Sequence, residues 1–198
     1  MATLSQPYYL GDWLKFEEDN RYSRDVKTVL ATADLPSGQV LGTESTFSKS
    51  APYDNSNPAA ATCILVEPVV CEPAQKVTSI TNLSTTGTIV FPEPHGLAVG
   101  DVVKVSGATV DTDLNCNSAV ATVADGVTCT ITTASVSNAA YTEATLRVTK
   151  LNHEAAVLVR GPALISKNGL NFGASDSTGI TAGLADLKLL GIIELEGE

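Results

Sequence analysis

Aromatic residues are scarce in this 198-residue chain, at 5%, with a single Trp. Charge is sparse too, at 17%, and cations are scarcest: 12 Lys and Arg stand against 22 Asp and Glu. The formal net charge is −10 and the sequence pI near 4.6. Such a deficit of cations excludes nucleic-acid binding, where Lys and Arg must neutralise phosphates. No apolar run approaches the roughly 20 residues a membrane helix needs, so no membrane partner is expected. The opening Met1-Ala2-Thr3-Leu4-Ser5-Gln6-Pro7 has neither the basic start nor the apolar stretch of a signal peptide, so a product made without export is expected.

Catalytic vocabulary is equally thin. Of two histidines, His95 lies in Pro94-His95-Gly96-Leu97 and His153 beside Glu154. A zinc site needs three or four ligands at recognisable spacing, and no His-Glu-x-x-His or Cys-x-x-Cys pair occurs. Neither a G-x-S-x-G elbow, a P-loop nor a G-x-G-x-x-G is present. The carboxylates of Glu17-Glu18-Asp19, Glu67/Glu72 and Asp111/Asp113 fall in stretches that read as arm or loop, and solvated surface charge explains them. Asp111-Thr112-Asp113 is half a calcium loop without its glycine and distal glutamate. No metal, no cofactor and no enzyme activity are expected. Cys63 and Cys71 bracket one extended run, too far apart to bridge. Cys116 and Cys129 read as lying on neighbouring strands and are left open as a pair, with reduced thiols the default.

What the chain does have is 43% hydrophobic residues, which excludes a disordered chain. Thr, Val, Ala, Ser and Gly dominate; β-branched residues suit a pleated surface. Nine prolines and fifteen glycines are scattered as punctuation. The fold class is therefore mainly β.

Residues 1–27 differ from the rest. Tyr8, Tyr9, Trp13, Phe16 and Tyr22 are half of the chain's aromatics. Large apolar anchors amid mixed charge suit an arm that orders on a partner. Strands are expected at Val26–Leu30, Gln39–Gly42 and in the apolar run Thr62–Val70. Leu35-Pro36-Ser37-Gly38 reads as a turn and 48–60 as a loop. Residues 74–150 read as a unit of their own. Its period-2 segments (Val77–Ile80, Thr88–Phe91, Val102–Val105, Val127–Ile131, Ala144–Val148) are punctuated by Gly87, Gly100, Gly107 and Gly126, as in a small sandwich or barrel. Ala155–Val159 and Ala163–Ile165 are further strands, Lys167-Asn168-Gly169 a hairpin-type turn, Leu184–Leu190 a short helix, and Gly191–Leu195 a last strand. Strands Ile64–Val70 and Ala155–Val159 flank the 74–150 unit. If they are hairpin neighbours, the unit replaces their turn, and exposed turns are where domain insertion is tolerated.

Several segments, in order, resemble the lambda-type phage head decoration proteins. They are Tyr22-Ser23-Arg24-Asp25 with Val26–Leu30, Leu35-Pro36-Ser37-Gly38-Gln39-Val40-Leu41-Gly42, and Ala61-Thr62-Cys63-Ile64-Leu65. Further on come Ala156–Ala163, Lys167-Asn168-Gly169-Leu170 and Leu190-Gly191-Ile192-Ile193. Pro94–Val103 is similar to a small β module of phage structural proteins. The resemblance implies a compact β body (28–73 and 151–198) with a short helix, a capsid-binding arm (1–27) and an inserted small β-sandwich or barrel domain (74–150). It also implies a homotrimer at local threefold positions of a head, bound to the major capsid protein and stabilising the shell against packaged DNA. The arm residues expected to bind the capsid are Tyr8, Tyr9, Trp13, Phe16, Tyr22 and Arg24. The location implied is the virion, on the outer surface of the capsid head, with passage through the host cytoplasm during assembly. An alternative is a virion surface adhesion module that binds host glycan through the inserted domain.

Overall fold

The computed structural model describes residues 10–17, 23–56, 60–83, 85–132, 139–142 and 144–195. The protein is mainly β and divides into two compact units: one formed by the chain up to Val70 together with His153 onward, the other by Cys71–Asn152.

In chain order the first unit contains helix α1 (Leu10–Trp13) and strands β1 (Leu14–Glu17), β2 (Arg24–Leu30), β3 (Val40–Thr43), β4 (Ser50–Pro52) and β5 (Ala61–Leu65). The second holds β6 (Gln75–Lys76), β7 (Ser79–Leu83), β8 (Thr86–Val90), β9 (Val102–Ser106), β10 (Asn117–Val123), β11 (Thr128–Thr132), β12 (Ala139–Tyr141) and β13 (Arg147–Lys150). The chain then runs through β14 (Asn152–Leu158), β15 (Ala163–Ile165), α2 (Ser177–Leu189) and β16 (Ile192–Glu194).

In the first unit β14, β2, β4, β3 and β5 close a five-stranded barrel, and β1, β15 and β16 form a separate sheet. The strands on either side of the second unit pair antiparallel, Val157 opposite Leu65 and Leu158 opposite Ile64. Val40, Ile64 and Leu158 form one row across β3, β5 and β14 and join the core beneath α2 and the three-stranded sheet. Leu41, Cys63, Leu65 and Val157, which alternate with them, are fully buried too. A closed barrel covered on one side buries both faces of its strands, hence the nearly continuous apolar run in the sequence.

Helix α2 begins seven residues before the expected Leu184. Ser177–Gly183 has the small and β-branched composition of a loop, but the Asp176 carboxylate accepts a hydrogen bond from the Gly179 N–H at 2.8 Å and caps the first turn. Asp186 reaches across to the Ala61 N–H (2.9 Å), and the Tyr53 hydroxyl donates to the Gly179 carbonyl (3.0 Å). Lys167–Gly169 is a 3₁₀ turn rather than a hairpin, because β15 pairs with β1 and β16 and not with the segment that follows it. The 48–60 loop contains the short β4, paired to both β2 and β3.

In the second unit the strands form one sheet in the order β12-β7-β8-β11-β10-β9-β13-β6, and every pairing is antiparallel. Strand β10 pairs with β9 through Asn117–Ala119 and with β11 through Val120–Val123, with a register shift past Val120. The two halves share that strand, and their apolar residues meet in one core that includes Ile80, Ile89, Val103, Val105, Val120, Cys129, Ile131 and Val148. One folded sheet thus takes the place of a sandwich's two layers. His95 is buried in this core; its Nδ1 accepts from the Leu97 N–H (2.9 Å) and its ring lies 5.0 Å from that of Phe91. Asp111 caps a 3₁₀ turn through the Asp113 N–H and accepts from the Tyr141 hydroxyl (3.0 Å), a structural use of that carboxylate. None of the four cysteines is in a disulfide.

Candidate functional site

The expected arm residues divide sharply. Tyr8, Tyr9 and Tyr22 lie outside the described residues. Trp13, expected as an anchor for a partner, is instead fully buried in its own chain. The reason is a socket made by two turns. The Trp13 indole N–H donates to the Ser37 hydroxyl at 3.0 Å, and Ser37 donates on to the Val66 carbonyl at 2.7 Å. Gly38, at φ +84°, lies so near that a Cβ there would be 2.9 Å from the indole Cδ1 and 2.6 Å from the Gly169 carbonyl. A Cβ on Gly169 would come within 2.8 Å of the Trp13 Cβ. The Trp13 carbonyl accepts from the Ser166 N–H at 2.7 Å. The motifs Leu35–Gly38 and Lys167–Gly169 therefore build the seat of a core tryptophan. Sequence reasoning found both turns and the tryptophan, but their meeting is nonlocal and no spacing announces it.

Immediately after Trp13 the chain becomes β1 and pairs antiparallel with β15, Phe16 opposite Leu164 and Glu17 opposite Ala163. Strand β15 pairs parallel with β16, Leu164 opposite Ile193. Directly opposed residues share a face, so Phe16, Leu164 and Ile193 form one row across the sheet. Ala163, Ile165 and Ile192 are buried on the other face, while Phe16 is 52% and Ile193 45% exposed. Leu189, near the end of α2, is 87% exposed. Large apolar side chains held open to water in a row make this face a candidate interaction surface. Phe16 is thus the expected arm residue that the structure leaves exposed, and Leu164 and Ile193, beside it in the row, were not singled out in the sequence. Strand alternation in Ala163-Leu164-Ile165 does not say which face is covered.

Arg24 faces Glu17. Its Nε donates to both carboxylate oxygens (2.8 and 2.9 Å) and its Nη2 to Oε2 (2.5 Å). That hydrogen bonding raises the guanidinium pKa above its ordinary value. The pair ties the end of β1 to the start of β2, so Arg24 acts here as a clasp.

Among the described residues no three His, Cys, Asp or Glu side chains gather in a way that could hold a metal ion, and no helix is long and apolar enough to cross a membrane. Phe91 and Tyr141 are the aromatic residues of 71–152, and both are buried. Neither offers the exposed platform on which a sugar ring stacks.

Residues 3–86 match the family model of the Bacteriophage lambda head decoration protein D. The matched stretch takes in β1–β5 and the first strands of the second unit; the resembling segments after residue 155 lie beyond it. No curated protein matches the chain. Among solved structures the chain is similar to the Phage phi92 endosialidase, at 18% identity and a TM-score of 0.32 over 73% of its length. The chain spans 22% of that protein. The β body and the matched stretch agree: over residues 3–86 the chain is similar to the phage head decoration family, whose members are structural proteins of the virion capsid.

Proposed function

We propose that this protein binds the outer surface of a phage head at local threefold positions as a homotrimer and stabilises the shell against the pressure of packaged DNA. The observation that carries the reading is the family match over residues 3–86. It is supported by the apolar row of Phe16, Leu164 and Ile193, which gives the bound state a surface to bury. Residues 1–9 precede a docked segment, so Tyr8 and Tyr9 are the arm residues left to reach the major capsid protein. Tyr22, two residues before Arg24 in the sequence, remains part of the proposed capsid contact. A trimer presents three such arms, and effective concentration multiplies contacts that are individually modest. Residues 74–150 are proposed as a domain inserted between β5 and β14, and assembly is placed in the host cytoplasm.

The test is co-sedimentation with heads that lack the protein. The wild-type chain is expected to pellet with the heads, and Phe16→Glu combined with Ile193→Glu to lose most of that binding while keeping its circular-dichroism spectrum. Equal binding by the double variant excludes the row as the contact. A wild-type chain that stays in the supernatant overturns the decoration reading itself.

A further inference from the structure

Strand β4 brings two lysines together. Ser50 is opposite Val29 of β2 and opposite Thr43 of β3, so residues of both neighbouring strands converge there. The result is a recess of about 230 Å³ lined by Lys27, Thr28, Thr43, Ser48, Lys49 and Ser50. Its lining residues are two lysines and four Ser or Thr, in a chain where acids outnumber bases 22 to 12.

The turn that carries Lys49 is held in place. The Glu44 carboxylate accepts from the Thr46 and Phe47 N–H groups (2.9 and 2.8 Å), and the Glu44 N–H donates to the Lys49 carbonyl (2.8 Å). Ser48 takes φ +55°, an uncommon conformation for a residue with a side chain. At the rim Glu154 accepts from the Thr28 hydroxyl at 2.6 Å.

The geometry points to a carboxylate-binding site that receives an acidic side chain from a loop of the capsid partner; this rests on the decoration reading above. The two lysines supply charge, and the hydroxyls other than that of Thr28, whose proton goes to Glu154, supply donors that rotate to suit either carboxylate oxygen. A protein carboxylate is the occupant, and not a nucleic-acid phosphate chain, because the net charge of −10 repels a long polyanion whereas one acidic side chain needs only the local field.

The experiment has two arms. In the first, wild type, the Lys27→Glu/Lys49→Glu double variant and the Lys27→Arg/Lys49→Arg double variant are sedimented with heads that lack the protein. Charge reversal is expected to weaken binding by at least about tenfold and to remove most of its salt dependence, with the arginine variant close to wild type. Binding by the charge-reversed, folded variant equal to wild type overturns the site while leaving the decoration reading intact. Failure of the wild type to bind overturns the decoration reading, and the second arm then judges the recess alone. There the lysine side-chain resonances of the full chain are followed by NMR during titration with tetraglutamate, acetate or inorganic phosphate. Saturable shifts of Lys27 and Lys49 with tetraglutamate support the site. Shifts with inorganic phosphate alone, or none at all, contradict it.

Discussion

The two units are built on opposite plans. Cys71–Asn152 is one uninterrupted stretch of antiparallel strands whose core comes from simple alternation. The other unit closes a barrel from both ends of the chain and includes parallel pairs, β2 with β4 and β15 with β16. Its core joins Trp13, Tyr53, Ile64, Leu158, Phe172 and Leu187, residues spread over the whole sequence. A core assembled from local alternation tolerates change elsewhere; a core assembled from distant pieces depends on each piece. The N-terminal segment from Leu10 to Glu17 is therefore part of the first unit's fold.

The largest expected break in the comparison is Trp13→Ala. It empties a fully buried socket and should cost the first unit about 3–5 kcal/mol, with the second unit unchanged. Hydrogen exchange resolves the two: protection should collapse in β3, β5, β14 and α2 and persist in β7–β11. Loss of protection in both units would show that they do not fold independently. For the same reason a truncation through residue 21 removes a core residue and a strand, whereas one that stops at residue 9 tests the arm alone.

A change of pH should strike the second unit. Burial pushes the Cys129 thiol from 9.0 up to about 11. The folded state keeps that proton while the unfolded chain loses it, so stability is full below pH 9 and declines by about 2–3 kcal/mol as pH rises to 11. Urea unfolding across that range, followed on second-unit signals, checks it, and Cys129→Val should flatten most of the decline. A slope unchanged by that substitution would assign the effect elsewhere.

Next in size is Ser37→Ala, which leaves the buried indole N–H of Trp13 without its acceptor. A loss of about 1–3 kcal/mol is expected from the first unit, read as a shift in the denaturation midpoint. Arg24→Ala should cost only about 1 kcal/mol or less, because the clasp is partly open to solvent (side chains 29% and 13% exposed for Arg24 and Glu17), and the loss should shrink in salt. A larger, salt-independent loss would make the pair a core element.

Legibility in the sequence follows the same division. Period-2 alternation exposed β7, β8, β9, β11 and β13 to within a few residues, because each buries one face. Strand β10 went unread: Asn117-Ser118-Ala119-Val120-Ala121-Thr122-Val123 has weak β propensity and changes partners midway. In the first unit β2, β3, β5, β14 and β15 were legible as apolar runs, while β4, with Pro52 in it, read as loop. The apolar row was half legible. Phe16 stood out as an aromatic in a polar neighbourhood, but its alignment with Leu164 and Ile193 depends on a register set by chain segments far apart. Trp13 was legible as important and misread in its role, since a lone tryptophan looks alike whether it anchors a partner or fills a core.

Electron cryo-microscopy of heads incubated with the full chain tests the central claim most directly. The account predicts three copies around each local threefold position, on the outer surface, with the Phe16 row and the Lys27–Lys49 recess against the shell. An undecorated shell, or copies on its inner surface, would contradict it.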